Sequence, residues 1–210
     1  MPGRQRTACL APAFILLFTQ FSLLFAQERL SVGPLAGVYL ASSAFVGPSS
    51  DPSGSAPYKQ RIAPVLGIQA TYWSSPRVGL GAALAWSSSD VSRPGAAADT
   101  SLPSSVRLVA AFLAVRVGSL ERDNDVHVRL GLAQVAHRGQ AFEPFDEPKP
   151  LAVTTGVEAT LPVGPHLRGA AGFDVYLYSF QLNEPGTTYE KRLMVDAVAR
   201  VGVTWGFGER

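Results

Sequence analysis

Three histidines, His127, His137 and His166, are the residues with which this chain could do acid–base chemistry near neutral pH. Acyl transfer would need one of them beside a serine or a carboxylate. Along an extended strand, His127 and His137 are ten positions or about 33 Å apart, so they cannot share a site. His166 follows Gly164-Pro165, a turn signal. The carboxylates nearest His137, namely Glu143, Asp146 and Glu147, fall in a Pro-containing connection rather than on an element. No metal-ligand spacing, phosphate loop or nucleotide fingerprint occurs, and Gly79-x-Gly81 has no following helix. No catalytic residue, metal or cofactor is therefore expected, and the chain reads as a non-enzyme. What remains is a set of ionisable residues at alternating positions: Arg129, Glu158, Arg168, Asp174, Asp196 and Arg200, three of each sign.

The elements that carry them are strands. From Leu193 to Phe207 every second residue is apolar: Leu193, Val195, Ala197, Ala199, Val201, Val203, Trp205 and Phe207. The alternate set, Met194, Asp196, Val198, Arg200, Gly202, Thr204 and Gly206, holds both signs of charge, a hydroxyl and two glycines. Successive side chains of a strand point to opposite faces, so this is one strand with an oily face and a polar face. Its fifteen residues exceed the usual globular strand of about 5–6 and suit one that crosses a bilayer at a tilt, which needs roughly 9–11.

The same pattern recurs over about 29–41, 60–73, 77–88, 105–118, 125–138, 150–163, 166–180 and 190–207. Val153, Val157 and Leu161 face away from Thr154, Gly156 and Glu158; Phe173, Val175 and Leu177 face away from Arg168, Gly172 and Asp174. Leu80, Leu84 and Trp86 oppose Gly79, Gly81 and Ser87, and Leu66, Ile68 and Tyr72 oppose Gly67, Gln69 and Thr71. The first and fourth segments are apolar on both faces. Helix signals, a cap followed by a stripe of period 3.6, are almost absent.

The connections alternate in length. Ser42–Tyr58, Ser89–Ser104 and Gly139–Lys149 are long, Ser74–Pro76, Ser119–Asn124 and Gly164–Pro165 are short, and Gln181–Thr188 is of medium length. An up-and-down barrel sends alternate connections to opposite ends, and outer-membrane barrels keep long loops outside and short turns in the periplasm. A Greek-key sandwich gives no such rhythm. The expected fold is an all-β, eight-stranded antiparallel up-and-down transmembrane β-barrel. Tyr72, Trp73, Trp205 and Phe207 are expected in a periplasmic aromatic girdle and Trp86 at the outer interface.

Charged residues make up only 16% of the chain, below the ~25% of soluble domains. Residues 1–26 open with Arg4 and Arg6, continue as an apolar run from Cys9 and end on Leu24-Phe25-Ala26, the layout of a secretory signal peptide. Cleavage after Ala26 would remove those two arginines and the only cysteine. Residues 27–210 would then carry 16 basic and 16 acidic side chains and no thiol, which gives no basic patch for nucleic acid and no disulfide.

On the strength of these strands, and above all of Val201-Gly202-Val203-Thr204-Trp205-Gly206-Phe207, the chain resembles the small eight-stranded outer-membrane barrels, the outer-membrane protein A-type transmembrane domain and its stand-alone relatives. The resemblance covers residues 29–207 as a pattern and rests on no exact motif. It implies residence in the bacterial outer membrane with both mature ends in the periplasm, and lipid as the surrounding partner. It also implies recognition of the last strand by the barrel assembly machinery, although Gly208-Glu209-Arg210 follow the terminal aromatic Phe207. A monomer is expected. An interior just wide enough for side chains would be plugged by a network of the six charges, in which Asp196 offsets Arg200. The function expected is structural, adhesive or surface interaction. The alternatives are a small-solute channel and a soluble secreted barrel that binds an apolar ligand.

Overall fold

The computed structural model describes residues 29–41, 59–93, 100–117, 125–142, 149–180, 183–184, 187–188 and 192–207. The leader read over residues 1–26, the connection 42–58, Glu143, Asp146, Glu147 and Gly208–Arg210 lie outside the described residues. Eight long strands run in chain order: β1 Leu30–Ala41, β2 Ala63–Trp73, β3 Val78–Arg93, β4 Thr100–Val117, β5 Asp125–Arg138, β6 Leu151–Pro162, β7 Leu167–Phe180 and β8 Arg192–Phe207. Each pairs antiparallel with its sequence neighbours, and β8 pairs with β1, so the sheet closes on itself. Closure leaves no long edge with unpaired backbone groups.

The register sets the dimensions. From Leu30 the partners run through Tyr72, Leu80, Leu113, Leu130, Thr155, Val175 and Ala197 and return to β1 at Leu40, ten residues higher. With strands about 4.8 Å apart and about 3.3 Å per residue, that stagger gives a tilt near 41° and a backbone radius of about 8 Å. Each residue then climbs about 2.5 Å along the barrel axis. A bore this narrow is filled by side chains.

Alternation settles the two faces. Leu66, Leu80, Leu130, Leu161, Phe173 and Val201 project outward and are exposed, while Val65, Leu108, Tyr178, Met194 and Val198 are buried inside. The chain enters β1 and leaves β8 at one end, where Leu30 pairs with Phe207. The tight turns after β2 and β6 lie at that same end: Val78 closes on Ser75, and Leu167 on Val163 and Gly164.

Two sequence expectations change at the opposite end. The Ser89–Ser104 connection is largely strand: Ser89 pairs with Ser104, and the ladder continues to Arg93 with Thr100. Its serines are short and polar because both faces there have left the apolar band, so the composition resembles a loop while the backbone remains paired. Beside it, β2 starts at Ala63 rather than at residue 60, and Lys59–Gln60 forms a separate short strand against Ser92 and Val91. Between Val65 opposite Ser87 and Gln60 opposite Val91, the β2 side spends one residue more than β3. This is a β-bulge; Pro64, which has no N–H for the ladder, sits within it.

Candidate functional site

The inward side chains form three tiers, and the middle one crosses the bore. Glu158 on β6 receives Arg129 Nη2 of β5 at 2.5 Å on Oε1 and Arg200 Nη1 of β8 at 2.5 Å on Oε2. Arg200 Nε donates in turn to Asp174 Oδ2 of β7 at 2.5 Å. Gln69 on β2, across the barrel from β6, donates to Glu158 Oε2 at 3.0 Å and accepts from Arg129 at 3.2 Å and Arg200 at 2.9 Å. The guanidinium of Arg129 also lies 4.5 Å from the ring centroid of Phe112 on β4. Two cations thus meet two anions, and each charge is hydrogen-bonded, the condition under which a buried ion pair is tolerated.

Glycines make the room. A Cβ on Gly156 would collide with the Asp174 carboxylate, and one on Gly172 would come within 2.9 Å of Arg200 Nη2. Gly156 pairs with Asp174 and Gly172 with Glu158, so each stands beside a charge that needs its space.

The lower tier sits at the end that holds the chain's entry and exit. Asp125 accepts from Arg168 Nη2 at 3.0 Å and lies 3.4 Å from Arg116 Nε. Arg116 stacks 4.2 Å from the Trp73 ring, and Trp73 meets His127 edge-on at 4.7 Å. His127 Nδ1 reaches Glu158 at 3.7 Å and links this tier to the middle.

The upper tier is built on Asp196. Its Oδ2 accepts the hydroxyl protons of Tyr39 and of Tyr178, the latter at 2.5 Å. Tyr178 contacts His137 Nε2 at 3.1 Å. Phe180 and Phe142 pack on the His137 ring at 5.2 and 5.4 Å, the second from a single 3-10 turn, Gln140–Phe142, that follows β5. His137 is thereby fully buried among aromatics.

The six sequence-selected charges therefore do not form one network. Arg129, Glu158, Asp174 and Arg200 meet; Arg168 belongs to the lower tier and Asp196 to the upper. The reason is spacing. Asp196 and Arg200 share a face of β8 but stand four residues or about 13 Å apart, beyond the reach of an ion pair. Gln69, Asp125, Arg116, Tyr39 and Tyr178 complete the tiers and were missed as members. Inward parity was the available signal for each, but parity does not say at what height two walls meet.

Trp73 is a second correction. Tyr72, Trp86, Trp205 and Phe207 point outward, about half exposed, but Trp73 is 9% exposed and faces the bore. Adjacent residues of a strand cannot both face out. Trp205 is stacked by His166 of the β6–β7 turn at 6.3 Å.

No protein-family profile and no curated protein matches the sequence. Solved structures do match the fold. OprG of Pseudomonas aeruginosa superposes with a TM-score of 0.60 at 14% identity, over 87% of this chain and 98% of that one. Neisserial surface protein A gives 0.54 at 14% identity, over 85% and 97%. Outer membrane protein W of E. coli gives 0.53 at 10% identity, over 88% and 100%. At these identities the likeness concerns the fold, and by that measure the chain is a closed eight-stranded barrel of the small outer-membrane type.

Proposed function

We propose that the protein is an integral barrel of the bacterial outer membrane whose bore is closed and whose work lies at its surface, as a structural, adhesive or interaction module. The observation that carries the reading is the middle tier, where Gln69 and Glu158 join opposite walls through Arg129 and Arg200. A passing solute would have to break these charge-assisted hydrogen bonds. The outward band of exposed Leu, Val, Ile and Phe supports a lipid surround rather than water.

In this reading residues 1–26 are a cleaved leader and Gln27 begins the mature chain. The end at which β1 begins and β8 ends faces the periplasm, the assembly machinery reads β8, and the barrel is a monomer. Two measurements test the proposal. Heat-modifiable gel mobility of the outer-membrane fraction should show a compact unboiled form, and recovery of the protein in the soluble periplasm would defeat the membrane reading. Proteoliposomes should swell in small sugars no faster than empty vesicles; rapid swelling would favour a solute channel.

A further inference from the structure

We propose that the rim formed by Arg61, Arg107 and Arg138 binds the phosphorylated sugar headgroup of an outer-leaflet glycolipid; this rests on the membrane reading and orientation given above. The three arginines are exposed and belong to the β2, β4 and β5 side of the barrel. Among the described residues, the guanidinium groups of Arg61 and Arg107 make no hydrogen bond or ion pair. Asp90 faces outward between them and its carboxylate pairs with neither; its backbone carbonyl accepts the N–H of Arg61 at 3.0 Å and the hydroxyl of Ser89 at 3.3 Å. Among the described residues the rim thus presents the two unpaired guanidinium groups of Arg61 and Arg107, with Arg138 beside them, against the carboxylate of Asp90.

Their height points to the occupant. Arg107 is the register partner of Trp86, the outward aromatic near the top of the apolar band. With a climb of about 2.5 Å per residue, Trp86 stands roughly 21 Å above Leu30, Arg107 about 24 Å, Arg61 about 28 Å and Arg138 about 33 Å. An outer-membrane barrel has an apolar band about 25 Å tall, so the arginines begin where hydrocarbon ends and phosphate begins. Below them Leu66, Ile68, Leu80 and Val109 offer exposed apolar wall for acyl chains.

The bulge adds shape to the charge. Where β2 departs from β3, an open cleft of about 490 Å³ is lined by Arg61, Ile62, Pro64, Ser88, Asp90 and Pro103 among others. It offers an unpaired guanidinium and hydroxyls beside Ile62, which is 70% exposed, a mixture suited to an acylated, phosphorylated sugar. Lys149, just before β6, extends the basic side, whereas on β7, β8 and β1 the outward described residues at similar height are apolar or neutral, namely Leu177, Ser179, Leu193, Val195 and Leu40. The basic feature therefore lies on the β2 to β6 side, whereas a general solubilising ring would encircle the barrel. Arginine suits the task because its planar fork matches phosphate in two hydrogen bonds.

The test measures binding of bisphosphorylated lipid A to the purified barrel in detergent, by native mass spectrometry, with monophosphorylated lipid A and phosphatidylglycerol as competitors. The combined variant Arg61→Gln/Arg107→Gln/Arg138→Gln should lose at least tenfold in affinity, while Arg77→Gln in the turn at the other end should not change it. Unboiled gel mobility verifies that each variant is folded. Equal binding by the triple variant, or equal binding of phosphatidylglycerol by the wild type, overturns the proposal. An epitope inserted at Gly54, between β1 and β2, reports orientation on intact cells separately. Reduced lipid binding with a surface-reachable epitope supports the proposal. Lipid binding unchanged by the three substitutions, with a reachable epitope, overturns it and leaves the orientation standing. An unreachable epitope overturns both, since the rim would then face the inner leaflet.

Discussion

Gln69 and Glu158 stand on opposite walls of the barrel, on β2 and β6, and meet at 3.0 Å in its centre. Their side chains reach because the bore is only as wide as two extended side chains, and because Arg129 and Arg200 close on the same two residues from β5 and β8. One acidic residue thus ties the sheet across its diameter as well as around its circumference.

Glu158 should therefore be the most sensitive position of the interior. Glu158→Ala leaves Arg129 and Arg200 short of an anion, and breaking a buried pair from one side costs about 3–5 kcal/mol. The charge lost should be partly offset by Arg129→Met in the same chain, with a coupling of about 0.5–3 kcal/mol between residues in contact. Urea unfolding in lipid vesicles measures the singles and the double. Simple additivity would mean that the two side chains do not share the network.

Asp196 and Arg200 should behave in the opposite way. The sequence reading expected them to compensate; the structure holds them in different tiers, Asp196 with Tyr39 and Tyr178 and Arg200 with Glu158 and Asp174. Asp196→Ala removes the acceptor shared by two buried hydroxyls, at about 1–3 kcal/mol, and its effect should add to that of Arg200→Ala within about 0.5 kcal/mol. A larger non-additive term in the same unfolding assay would rejoin the tiers.

Depth should govern substitutions on the outer wall. Val201 pairs with Ala36 near mid-height, whereas Val195 lies about six residues up the same strand. Val201→Arg should cost roughly 2–4 kcal/mol in a bilayer and Val195→Arg about 0–1 kcal/mol. Equal costs would show that the outward face does not lie in a slab of hydrocarbon with this axis.

Much of the fold was legible because one physical pattern, alternation of oily and polar residues over spans longer than globular strands, recurs in six of the eight segments, the first and fourth being apolar on both faces, with long and short connections in turn. Two local failures have the same origin. Ser89, Ser92, Ser101 and Ser104 look like loop residues by composition, yet they sit in a ladder that continues above the apolar band. Trp73 was grouped with Tyr72 by residue type although parity turns it inward, onto His127 and Arg116. The tiers were less legible still. Which inward groups meet depends on the stagger of ten residues around the closed sheet, a property of all eight pairings together, so Asp125 finds Arg168 and Gln69 finds Glu158 across 43 and 89 positions of sequence.

Closure of the bore is most directly read by single-channel recording in a planar bilayer. The wild-type barrel should give no steady conductance steps, because Gln69, Arg129, Glu158, Asp174 and Arg200 cross the lumen with their charges paired. Stable ohmic steps from the folded wild type would contradict that account and make the protein a channel.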